Sequence, residues 1–185
     1  MSSLSDQSVL ATSLRTDTCG LLRSPDVGRT VRLGGWVHRS RDLGGLVFID
    51  LRDRTGLVQL AFGPAWSDAE TLRIAAAVGV ESVVLCEGEV VARELDRQNP
   101  DMLTGTIEVR VTSLRVVGPA VTPALPVARG RGEKMAAEEL RLRHRYLDLR
   151  RPELQENLVL RHRLLQVSRR FLSDRGYLEL ETPIL

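Results

Sequence analysis

Between Thr30 and Val117 apolar and polar positions alternate in five runs, interrupted once by a stretch of helical spacing. In TVRLGGWVHR, residues 30–39, Val31, Leu33 and Val37 fall on one face and Arg32, Trp36 and His38 on the other, the period of a half-buried strand. Leu46–Leu51 and Leu57–Phe62 repeat the alternation and are joined by the turn RDRTG. Parity sends Val47, Ile49, Leu51, Val58, Leu60 and Phe62 inward and Leu46, Phe48, Asp50 and Gln59 outward. Residues 67–78 are alanine-rich, with Ser67 placed as an N-cap and Gly79 as a stop, and predict a helix. Residues 82–92 and 106–117 are two further alternating, β-rich runs. Three strands, a helix and two strands predict an OB-fold, a five-stranded barrel; the helix after the third strand argues against the small SH3-like barrels.

Beyond residue 117 the pattern changes. Residues 118–132, GPAVTPALPVARGRG, have prolines, glycines and no period, as a linker or hinge does. Residues 136–146 predict a short basic helix. Pro152 then opens a longer one, with Glu153 and Glu156 in its first turn and an apolar stripe of Leu154, Leu158, Leu164, Leu165, Phe171 and Leu172. Gly176 is placed to end it. The final YLELETPIL reads as the start of a strand that lacks a partner, which predicts an incomplete second domain. The division expected is a flexible tail over 1–17, the barrel over 18–117, a hinge over 118–138 and the opening of a second, α+β domain over 139–185.

A chain 43% hydrophobic and 27% charged has the composition of a soluble globular protein. No apolar run approaches the ~20 residues of a membrane helix, and the first residues lack a signal peptide's order, so a cytoplasmic location is expected. Cys19 and Cys86 are far apart and outside any CxxC, and read as reduced and structural. His38, His144 and His162 form no ligand pattern, so no metal site is expected. The net charge is only +2, yet every basic residue except Lys134 is an arginine, the side chain that suits phosphates and base edges. A genome rich in arginine codons accounts for many of these equally well, so position decides.

Position favours the hairpin. Phe48 and Gln59 share one outward face, opposite or diagonal across it, with Arg39 and Arg41 just upstream. A ring that stacks a base, an amide that reads its edge and guanidinium groups that hold phosphates make a single-stranded RNA surface. The pattern also allows Phe48 to be ordinary core, covered by the tail or by the loop at Gly44 and Gly45. Arg141, Arg143 and Arg145 read as a solvated helix face rather than as RNA contacts.

The stretch TCGLLRSPDVGRTVRLGGWVHRSRDLGGLVFIDLRDRTGLVQL resembles the anticodon-binding domain of bacterial aspartyl-tRNA synthetases, and LRLRHRYLDLRRPELQENLVLRHRLLQVSRRFLSDRGYLELETPIL resembles the entry into their class II catalytic domain. The resemblance runs from about Thr18 to Leu185; the asparaginyl and lysyl enzymes fit these two stretches less well. It implies that Phe48 stacks on an anticodon base and Gln59 hydrogen-bonds the central uracil. Arg39, Arg41 and Arg93 contact the anticodon loop, and Glu108 faces the first anticodon base. Ser40 and Val91 stand where the family often has arginine, and no residue of the divergent loop ELDRQNPDML is assigned. Pro183 matches the proline of class II motif 1, which builds the homodimer interface. The family attaches aspartate to aspartate tRNA using ATP and Mg²⁺. The arginines of motifs 2 and 3 lie beyond motif 1, and residues 1–185 hold no Walker-type loop, so no catalytic residue and no bound cofactor are expected in this portion. The rival expectation is a free-standing, non-enzymatic OB-fold RNA-binding protein.

Overall fold

A computed structural model describes residues 11–128 and 134–183. Five strands, β1 (Thr30–Asp42), β2 (Val47–Asp53), β3 (Gly56–Phe62), β4 (Val83–Ala92) and β5 (Ile107–Gly118), close a barrel in the order β1-β2-β3-β5-β4. Neighbours are antiparallel except β3 and β5, which run parallel at Leu60 and Ala61. Strand β1 is long because it serves two neighbours. Residues 30–36 pair with β4 and residues 36–42 with β2, and a bulge between Val37 and Arg39 lets the strand bend from one to the other.

The inward set is the alternation made solid. Val31, Leu33, Val37, Val47, Ile49, Leu51, Val58, Leu60 and Phe62 all lie in one buried cluster, joined by Val109 and Val111 of β5. Helix α1 (Ala69–Ala77) packs on β5, β2 and β3 through buried Thr71 and Ala75. Its N-cap is Asp68, which accepts from the Thr71 amide at 2.7 Å, and not Ser67. Ser67 is buried one residue earlier and donates its hydroxyl to the Val111 carbonyl at 2.6 Å, so it is committed to β5.

Two local devices shape the ends of β2. Gly44 and Gly45 take φ of +73° and +104°, a left-handed turn that side chains resist, and Asp42 Oδ1 accepts from the Gly44 amide. At the other end the hairpin uses a two-residue loop, Arg54–Thr55, with Asp53 paired to Gly56. Asp53 Oδ1 accepts from the Thr55 amide and hydroxyl, and its Oδ2 from the Cys19 amide, so one carboxylate ties the turn to the approaching N-terminal segment. Of the flexible tail expected over 1–17, residues 1–10 lie outside the described residues, and the end of it is fixed. The Thr16 amide donates to the Arg32 carbonyl, and buried Asp17 pairs with Arg29 at 2.9 Å.

Cys19 and Cys86 are free and buried. Burial pushes the Cys86 thiol up to about 12, and burial together with Asp53 raises Cys19 well above its ordinary value, so neither is a nucleophile.

The chain divides between Pro123 and Ala124 into two compact units. In the second, the stretch read as hinge is partly packed: Leu125 and Val127 are buried with Leu147, and Arg151 donates to the Pro126 carbonyl at 2.9 Å. The single helix expected over 136–146 is instead two short ones, α2 (Glu138–Arg143) and α3 (Arg145–Asp148), separated at His144. Of the arginines read as a solvated face, Arg143 and Arg145 are exposed, while Arg141 is turned inward. Arg141 Nε and Arg145 Nη1 donate to the fully buried Asp148 at 3.0 and 2.7 Å. Burial alone would raise the Asp148 carboxyl; the hydrogen bond from Arg141 and the charges of Arg141, Arg151 and Arg145 outweigh it and hold the group below its usual range.

Helix α4 (Pro152–Ser173) starts at Pro152 as expected, and Gly176 at φ +82° follows its end. Its stripe is uncovered: Leu158, Leu164, Leu165, Phe171 and Leu172 are all exposed. The strand expected from Tyr177 does not form, since residues 177–183 have no regular structure and no neighbouring strand to complete a ladder among the described residues.

Candidate nucleic-acid interface

On the outside of the barrel a groove of about 500 Å³ runs across β1, β2, β3 and β5. The register explains its contents. Arg41 stands opposite Phe48, Phe48 opposite Ala61, Asp50 opposite Gln59, and Glu108 opposite Val91, with β5 laid beside β3. Arg41, Phe48, Gln59, Arg93 and Glu108 therefore line one surface although 67 sequence positions separate Arg41 from Glu108 (108 − 41). Gln59 is diagonal to Phe48 rather than opposite it.

Phe48 is half-buried and lies outside the core cluster, so its ring belongs to the groove floor. Gln59 is outward by parity yet only 5% exposed, because both ends of its amide are engaged. Arg41 Nη2 donates to Gln59 Oε1 at 3.2 Å and to Asp50 Oδ1 at 2.9 Å, while Gln59 Nε2 donates to Glu108 Oε2 at 2.8 Å. The result is a chain from Asp50 through Arg41 and Gln59 to Glu108 along the groove.

Arg93 sits one residue past β4, where its amide donates to the Thr106 carbonyl. Its Nε and Nη1 are buried and find no hydrogen-bond partner among the described residues. A buried donor without an acceptor costs free energy, and an anionic or carbonyl oxygen entering the groove would remove that cost. Arg39, exposed on β1, faces Asp50 in register but does not line the groove. Pro183 lies in the second compact unit and is exposed.

The structure adds residues that sequence reasoning passed over. Trp66 forms part of the groove, its Nε1 donating to the Ala61 carbonyl and the Arg110 guanidinium 5.0 Å from its ring centre. Glu94 and Arg97 come from the loop in which no residue had been assigned. Arg110 was legible, since it shares the parity of Glu108 on β5. Trp66 was not, because it arrives from a loop without periodicity.

On a separate patch of the barrel, Trp36 is outward and the Arg52 guanidinium lies 6.0 Å from its ring. Arg52 is buried and spans the two Glu81 oxygens at 2.7 and 2.9 Å, while His38 Nδ1 sits 2.8 Å from its other nitrogen. Burial and the Arg52 charge lower the His38 pKa to about 4, so the ring is a neutral acceptor there. This cluster braces β1, β2 and the turn before β4.

Among the described residues no group of three or more His, Cys, Asp or Glu side chains gathers as metal ligands. No helix among them is long and apolar enough to cross a membrane.

Residues 31–117 match the family described as OB-fold nucleic acid binding domain, and residues 137–185 match tRNA synthetases class II (D, K and N). The aspartate–tRNA(Asp/Asn) ligase of Phenylobacterium zucineum is 49% identical over 171 residues, covering 92% of this chain and 28% of that protein. The aspartate–tRNA ligase of Bacillus licheniformis is 47% identical with the same coverage of both chains. This chain thus spans about 28% of the length of these curated relatives. Among solved structures, the asparaginyl-tRNA synthetase of Pyrococcus horikoshii superposes with a TM-score of 0.77 at 30% identity, covering 90% of this chain and 37% of that one. The aspartyl-tRNA synthetase of Entamoeba histolytica, at 21% identity and a TM-score of 0.75, shares the fold over 86% of this chain and 37% of its own.

Proposed function

We propose that this chain, which belongs to the aspartyl-tRNA synthetase family, uses the barrel groove to recognise the anticodon loop of aspartate tRNA for an aspartate–tRNA ligase. The observation that carries the proposal is the buried, unpartnered guanidinium edge of Arg93 beside an outward aromatic ring and an outward amide. An unpaired RNA loop supplies what each lacks: a π-face for Phe48, a base edge for Gln59 and an oxygen for Arg93.

In this reading Phe48 stacks an anticodon base, Gln59 hydrogen-bonds the central uracil, Glu108 faces the first anticodon base, and Arg39 and Arg41 hold the loop's phosphates. Base contact then costs the protein part of an existing network, because Gln59 and Glu108 already satisfy each other. In the complete ligase, aspartate would be activated by ATP with Mg²⁺ at a site outside these residues, in a cytoplasmic homodimer whose motif 1 includes Pro183. A free-standing RNA-binding protein is not favoured, since the class II match continues through residues 137–185.

The test is a titration of the chain with the aspartate anticodon stem-loop and with the same stem carrying an unrelated loop. Preference for the former, competed away by whole aspartate tRNA, is the expected result. Equal affinity for both loops would overturn the proposal.

A further inference from the structure

We propose that Asp50 is a positioning residue that fixes which way round the Gln59 amide faces RNA, and so sets the choice of uracil over cytosine; this rests on the groove being an RNA site. Asp50 touches no base itself. Its carboxylate, 12% exposed, accepts from Arg41 Nη2, and the same nitrogen donates to Gln59 Oε1. Arginine has donors only. As long as Asp50 keeps Arg41 there, Oε1 must be the end of the amide facing Arg41, and Nε2 must be the end facing Glu108.

The orientation matters because the two pyrimidines differ in sign at one position. Uracil offers a carbonyl oxygen where cytosine offers an amino group. Nε2 has two hydrogens and spends one on Glu108, which leaves one to donate to the uracil carbonyl. A turned amide would present an acceptor and welcome the cytosine amino group instead. Glu108 is the weaker anchor of the two, since in the proposed complex it also faces the first anticodon base. Arg41 would leave for a phosphate without a fixed counter-charge beneath it. Asp50, directly across the ladder from Gln59 and largely buried, is that counter-charge. Arg41 itself is half exposed, with its remaining donors available to the loop, so it can hold a phosphate without releasing the amide.

The test compares binding of anticodon stem-loops with a central U and a central C to the wild-type chain, Asp50→Ala and Asp50→Asn, with a thermal melt of each. The expected result is that Asp50→Ala lowers the U-to-C affinity ratio by roughly tenfold or more. Its affinity for RNA as a whole is held or improved, because a negative charge has left the face. Asp50→Asn keeps an acceptor for Arg41 and should fall between the two. If Ala does not fold, the lowered ratio of Asn carries the test. A variant that melts like the wild type and keeps its ratio would overturn the proposal. A wild-type chain that itself shows no preference would overturn the RNA reading beneath it.

Discussion

At the scale of single residues the groove separates two kinds of outward side chain. Phe48 is half-buried outside the core cluster, whereas Phe62, on the neighbouring strand and pointing into the barrel, is fully buried. Phe48→Ala is therefore expected to weaken anticodon-loop binding by ~1–3 kcal/mol while leaving the melting temperature almost unchanged; a large fall in melting temperature would mean the ring is core after all. His38 makes a second prediction. In the fold it stays neutral down to about pH 4, while in the unfolded chain it takes a proton near 6.5. Between those values the unfolded state binds more protons, so this residue's contribution to stability falls as pH drops through that window. His38→Asn, which places an amide oxygen near the position of Nδ1, should flatten that part of the pH dependence. Denaturant midpoints of both proteins at pH 7 and pH 5 measure it.

At the scale of elements, the two-residue hairpin between β2 and β3 sets the register on which the groove depends. It is clamped from outside: a Cβ at Gly20 would come within 2.1 Å of the Thr55 carbonyl oxygen, a backbone atom that cannot swing away. Gly20→Ala should destabilise the barrel by about 1–3 kcal/mol, toward the upper end of what overpacking costs, and chemical denaturation would register it. The elements also show where local pattern misleads. Ser67 is a fair N-cap by residue type, but its hydroxyl is claimed by β5, and Asp68 takes the cap. Residues 177–183 alternate like a strand and do not form one, because alternation describes a face and a strand needs a neighbour.

At the scale of the whole molecule the two compact units differ in how well they cover themselves. The barrel has a continuous core, whereas α4 leaves a full apolar stripe in water, with Phe171 at 53% exposure and Leu164 at 59%. Exposed apolar surface of this extent favours association. A fragment ending at Pro123 is expected to fold cooperatively and remain monomeric. The 185-residue chain should self-associate as concentration rises. Sedimentation of the two side by side decides it, and a chain that stays monomeric throughout would show that the stripe is covered from within.

Alternation and turn chemistry by themselves determined the succession of strands and helix along the chain, the inward core set and the outward parity of Phe48 and Gln59, because a period of two depends only on local backbone geometry. Family resemblance supplied the roles those residues would play. Tertiary structure alone decided the rest. It showed that Gln59 is held by Arg41 and Glu108 and that Arg93 Nε and Nη1 find no acceptor among the described residues. It also brought Trp66 to the groove and turned Arg141 and Arg145 onto Asp148. Each of these depends on which distant strands or turns lie side by side. Hydrogen bonding and burial of a side chain are set by its neighbours in space, and a linear pattern gives only the direction in which it points.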